Sequence, residues 1–117
     1  MIIGSRSVTR RRRAAGAYAG GVFVSGAATD LTIMAAIGPT NVSEVARVLR
    51  VAPQGTRTTQ AVKIATETEI RVGDDALQTE PDQILVDGQT FVVTEVKQVV
   101  APAPLPHFEA LAWERLP

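Results

Sequence analysis

Apolar and polar positions alternate with a period of two along most of this chain, the mark of strands with one face buried. In TDLTIMAAIGP, Leu31, Ile33, Ala35 and Ile37 fall on one face and Thr32, Met34 and Ala36 on the other, and Gly38-Pro39 closes the run. Upstream, AYAGGVFVSG (residues 17–26) reads as a first strand with Gly20-Gly21 as a turn or bulge. In AVKIATETEIRV, Val62 and Ile64 keep a strand register, and Ile70 and Val72 resume it after an acidic break. QILV and QTFVVTEVKQVV flank Asp87-Gly88, the pair that a type I′ turn prefers. A hairpin over residues 83–100 follows, with Ile84, Val86, Phe91 and Val93 buried across it. The Pro-rich APAPLP leads to a last strand, HFEALAWERL, where Phe108, Ala110, Ala112 and Glu114 alternate with Leu111, Trp113 and Arg115.

One segment shifts to a helical period. Val42, Val45, Ala46 and Leu49 are spaced to line one face of a short helix. Asn41 can cap it, and Glu44 stands at the reciprocal position of a capping box. Pro53 and Gly55 stop it, leaving VAPQGTRTT (residues 51–59) as a loop; GDDALQTEPD is a second, acidic loop. The predicted fold is mainly β: a small β-barrel or sandwich of six to seven strands with one short α-helix and a flexible N-terminal arm. The arm takes residues 1–16 and the single domain residues 17–117.

Composition narrows this little. The 117 residues suffice for one modest core, and with only 4% aromatics that core must rest on Val, Ile, Leu and Ala. The absence of cysteine excludes disulfides and thiolate chemistry. No apolar run reaches the ~20 residues of a membrane span. The first apolar residues are too few for a secretion signal, so synthesis and folding in a cytoplasm are expected.

Charge changes the picture more. The formal net charge is zero, yet residues 1–60 hold eight arginines against Asp30 and Glu44, and residues 61–117 carry the opposite imbalance. Either folding intermixes the halves, or the molecule has unlike poles suited to salt-sensitive head-to-tail contacts. The run Arg10, Arg11, Arg12, Arg13 repels itself and lacks apolar periodicity. It reads as a mobile arm that meets phosphates or an acidic partner surface, or as a solvated terminus.

Candidate chemistry is sparse. His107 is the single histidine, a poor basis for a metal site. Ser5, Ser7, Ser25 and Ser43 lack a nucleophile-elbow context, and the spacing of Asp74, Asp75 and Asp82 matches no EF-hand. The glycines between residues 16 and 26 form no phosphate cradle. No enzyme, cofactor or metal is expected. Tyr18, Phe23, Phe91, Phe108 and Trp113 all sit in apolar strand patterns and are expected in the core, not on a base-stacking platform. Any DNA contact would be electrostatic, through Arg10–Arg13 or the loop Arg57.

The order of motifs resembles small head–tail connector (neck) proteins of tailed bacteriophages, in particular the head-closure or stopper-like family. The resemblance is carried by an aromatic followed by GGVFVSG and TDLTIMAAIGPT, then SEVARVLRVAPQGTRT, KIATETEI, DQILVDGQTFVVTEV and HFEALAWERL. It covers residues 17–117. It implies a virion protein, made in the host cytoplasm, whose β-barrel subunits form a ring at the portal–tail junction. Such a ring closes or extends the DNA channel and offers the tail an attachment surface. Its partners would be portal or adaptor ring proteins, tail proteins, further copies of itself, and phage DNA passing non-specifically; no cofactor and no membrane are implied. The loop holding Gln54, Thr56 and Arg57 would face the channel. A tail terminator or adaptor of the same neck, or a small barrel acting as a nucleic-acid-binding module, are the alternatives.

Overall fold

The computed structural model describes residues 4–51, 61–74, 79–100 and 106–115. The alternating segments become strands: β1 (Arg6–Arg13), β2 (Ala17–Ala19), β3 (Val22–Val24), β4 (Ala28–Pro39), β5 (Ala61–Thr66), β6 (Gln83–Val86), β7 (Gln89–Val99) and β8 (His107–Arg115). The helix α1 (Val42–Val51) lies between β4 and β5. Six strands close an antiparallel barrel in the order β1-β4-β5-β8-β7-β6; β2 and β3 form a separate two-stranded ribbon. The architecture is therefore a barrel and not a sandwich.

A six-stranded barrel has a narrow lumen that side chains must fill. The inward positions mix large and small residues: Ile64, Ile84 and Phe91 against Ala35, Ala110 and Ala112. Val8, Ile33, Val62, Val86 and Val93 complete this core. Burying each of the larger side chains contributes about 1.5–3 kcal/mol. Ile70 is buried in the same cluster but lies in no strand, so the expected resumption of strand structure at Ile70 and Val72 does not occur. One inward polar group, Thr66, is satisfied because its Oγ1 donates to the Met34 carbonyl at 2.8 Å.

The strand β8 is buried on both faces. Ala110 and Ala112 look into the barrel, while Leu111 and Trp113 join Val92 and Val48 of α1 in a second, smaller cluster outside it. The β6–β7 hairpin has the expected turn. Asp87 and Gly88 have φ of 50° and 77°, the two positive values that a type I′ turn needs. Ile84 pairs with Phe91 across it.

The flexible arm is a correction. Residues 6–13 form β1, which pairs with β4 from Arg6↔Ala35 to Arg13↔Ala28 and closes the barrel on β6 through Thr9, Arg10 and Arg11. The domain thus includes the segment assigned to the arm and cannot begin at residue 17. The physical reason is a two-residue alternation masked by charge. Val8 enters the core, and Arg10 and Arg12 follow it on the same face over one end of the barrel.

Candidate functional site

The arginine run is bound to its own subunit. Arg12 lies against Asp82, which is 1% exposed, with Nε donating at 2.9 Å and an Nη at 2.7 Å in a bidentate fork. The same carboxylate accepts the Arg71 backbone N–H at 2.9 Å. Arg10 donates to the Glu69 carbonyl at 3.0 Å, and its Nε is buried without a hydrogen-bond partner among the described residues. Burial, and then repulsion by Arg12, pull the Arg10 guanidinium below its ordinary pKa, whereas the hydrogen bond to Asp82 raises that of Arg12. On the opposite face Arg11 makes its own fork with Asp30, at 2.9 and 3.0 Å. Arg13 approaches Glu80 at 3.8 Å.

These pairs decide between the two readings of the charge imbalance. Arg6–Asp87, Arg12–Asp82, Arg13–Glu80 and Arg47–Glu95 each join a base of the first half to an acid of the second. Lys63–Glu44 joins them in the reverse sense at 2.8 Å. The halves intermix, so the unlike poles are not a feature of the folded subunit. Beside the Arg12–Asp82 pair a cleft of about 660 Å³ is lined by Arg12, Arg13, Ile70, Arg71, Asp82 and Val96, among others. Much of its charge is committed to the ion pairs within it. No cluster of three His, Asp or Glu positioned for a metal occurs among the described residues. His107 sits at the start of β8, 3.1 Å from Glu109.

Gln54, Thr56 and Arg57 lie outside the described residues. Asp87 and Gly88 are where the sequence places them, at the β6–β7 turn, and Asp87 is tied to Arg6 at 2.6 Å.

Two exposed apolar surfaces stand out. The first is on α1. Its capping box forms as expected: Asn41 Oδ1 accepts the Glu44 N–H at 2.8 Å, and Glu44 Oε1 accepts the Asn41 N–H at 2.9 Å. The bond from Lys63, then that from the Asn41 backbone, lowers the pKa of the Glu44 carboxyl. Yet Glu44 and Val48 face the barrel, while Val42 is 88% and Leu49 52% exposed. The stripe Val42–Ala46–Leu49, spaced at i, i+4 and i+7, looks outward. The helix is turned by about a third of a revolution from the orientation its apolar side suggests, which leaves Val45 of that side half-buried, and it is held by the Lys63–Glu44 pair and by Val48 on β8.

The second surface is the β2–β3 ribbon. Arg13↔Ala28 and Ala17↔Val24 keep the same register, and the Ala14 N–H donates to the Ala27 carbonyl at 2.9 Å between them. β1 to β4 is thus one long hairpin whose distal half leaves the barrel. Gly20 and Gly21, with φ of 59° and 80°, make its tip a second turn with two positive φ values. From Ala14 to Gly20 the projection is roughly 20 Å at strand rise, in keeping with a long axis of 49 Å against 28 and 27 Å for the other two. No charged residue occurs between Arg13 and Asp30. Tyr18 is 67%, Val22 65% and Val24 52% exposed. Tyr18 meets Phe23 edge-on at 5.4 Å, and the Phe23 ring lies over Gly16, where a side chain would collide with it. Tyr18 and Phe23 are therefore not core residues of the barrel.

No protein-family model matches the chain, and no curated protein does so either. None of the described helices is long and apolar enough to cross a membrane.

Proposed function

We propose that the chain is a structural subunit of the head–tail junction of a tailed bacteriophage. In this reading it forms a stopper-like ring that closes or extends the portal DNA channel and presents the surface on which the tail attaches. What supports it is the way the motifs from TDLTIMAAIGPT onward fall on one closed barrel and its outer helix, with GGVFVSG on the projecting ribbon. The strand ending at Pro39 leads through α1 and residues 52–60 to β5; the Asp87-Gly88 hairpin and the His107 strand complete the wall. A tail terminator or an adaptor of the same neck shares these features. The nucleic-acid module is less favoured, because Arg6, Arg11, Arg12 and Arg13 each face an acid of the same subunit. The exposed tyrosine sits on an uncharged ribbon, without the interleaved bases that a single strand needs. Particles assembled without this chain should comprise DNA-filled heads that lose DNA, beside unattached tails, and adding the purified protein should restore joining. Normal tailed, DNA-retaining particles in its absence would overturn the proposal.

A further inference from the structure

We infer that the β2–β3 ribbon of one copy docks on the outward stripe of α1 of the next copy. This deepens the ring reading by naming the surfaces through which copies meet, and it takes from that reading only that the partner is a second copy. Three observations carry it. Among the described residues the ribbon strands pack chiefly on each other, and Tyr18, Val22 and Val24 stay more than half exposed. An isolated two-stranded ribbon with free edges is marginal in water, and an apolar one invites a partner. The helix offers a matching surface, since Val42, Ala46 and Leu49 form an apolar stripe turned away from the barrel.

The third observation is placement. In a six-stranded closed wall ordered β1-β4-β5-β8-β7-β6, β8 stands across from β1 and β7 across from β4. The ribbon extends from β1 and β4, and α1 packs on β7 and β8. The two surfaces therefore lie on opposite walls, and a ribbon reaching about 20 Å beyond its barrel meets the helix of a neighbour. Such a contact is head-to-tail: it repeats from copy to copy and closes into a ring when the rotation between copies allows. It is also apolar, because Tyr18, Val22 and Val24 on the ribbon meet Val42, Ala46 and Leu49 on the helix. Salt should leave it intact, unlike contacts between unlike poles.

The test uses the full chain, which has no cysteine of its own. Copies carrying Tyr18→Cys are mixed with copies carrying Leu49→Cys and treated with a short bis-maleimide. Both positions are exposed, so each variant should keep the wild-type circular dichroism and the buried Trp113 emission. The mixed dimer should exceed either homodimer by about tenfold or more, a preference of about 1.4 kcal/mol, at both low and high salt. Adding Val22→Asp to the Tyr18→Cys copy should remove the excess. A statistical mixture, a dominant Tyr18→Cys homodimer, or no cross-linked product at high concentration would overturn the inference. Those results would leave the neck proposal standing, since that rests on where the chain acts in the particle and not on which surfaces meet.

Discussion

Replacing Arg12 by leucine separates a built-in strand from a mobile arm. Asp82 is 1% exposed and receives both bonds of the Arg12 fork, so Arg12→Leu leaves a buried carboxylate with the Arg71 backbone N–H as its one remaining donor among the described residues. Removing one partner of a fully buried ion pair costs about 3–5 kcal/mol; because the Arg12 side chain is itself 21% exposed, water can enter, and about 2–4 kcal/mol is expected here. With a urea m-value of about 2 kcal/mol/M, that moves the unfolding midpoint down by about 1–2 M. Arg11→Leu, one residue away but on the solvent face, should leave the midpoint close to wild type, because exposed pairs are screened. The double variant Arg12→Leu/Asp82→Leu should recover part of the loss by removing the stranded charge. Equilibrium urea unfolding followed by Trp113 fluorescence reads all four proteins. Equal midpoints for Arg11→Leu and Arg12→Leu would refute the reasoning and return the run to a solvated terminus.

Gly88→Val places a β-branched residue at φ 77° with no neighbour within 4 Å of the new Cβ. The cost is therefore backbone strain alone, about 1–2 kcal/mol, seen as a lower melting temperature with unchanged circular dichroism. Phe91→Ala opens the centre of the barrel lumen and should cost about 3–5 kcal/mol; a loss under half of that in denaturant unfolding would show that the lumen is loosely packed. Acid should destabilise the fold through Asp30 and Glu44. Hydrogen bonds from Arg11 and from Lys63, respectively, lower the pKa values of these carboxyls in the folded state, so their contribution is present above the unfolded carboxyl range and disappears as pH falls through the folded values. Melting temperatures from pH 7 to pH 3 should fall less steeply in Asp30→Asn/Glu44→Gln than in wild type; parallel slopes would contradict this.

Where neighbours in sequence carry the structural information, the fold was legible. The Asn41–Glu44 box, the Asp87-Gly88 turn and the inward sets of β5, β7 and β8 are local signals, and each forms as the pattern implies. Three features depend on partners that one chain does not announce. Arg12 sits on an inward strand position because Asp82, 70 residues later, meets it at the barrel end; without that partner the run reads as solvated charge. The α1 stripe was recognisable as apolar, but periodicity does not say which body a stripe faces, and here Lys63–Glu44 and Val48 hold it outward. Gly20-Gly21 reads as a turn or bulge, and the structure makes it a turn. The charge-free stretch between Arg13 and Asp30 was the available sign of a projecting ribbon; the constant register from Arg6↔Ala35 through Ala19↔Val22 shows only in the structure. The alternation of the ribbon residues resembles that of a core strand, which hid their exposure.

Image reconstruction of intact virions at the portal–tail joint tests the proposed role most directly. A ring of these six-stranded barrels around the DNA channel, between portal and tail, is the expected density. A joint built wholly of other chains, or copies of this barrel found only elsewhere in the particle, would contradict it.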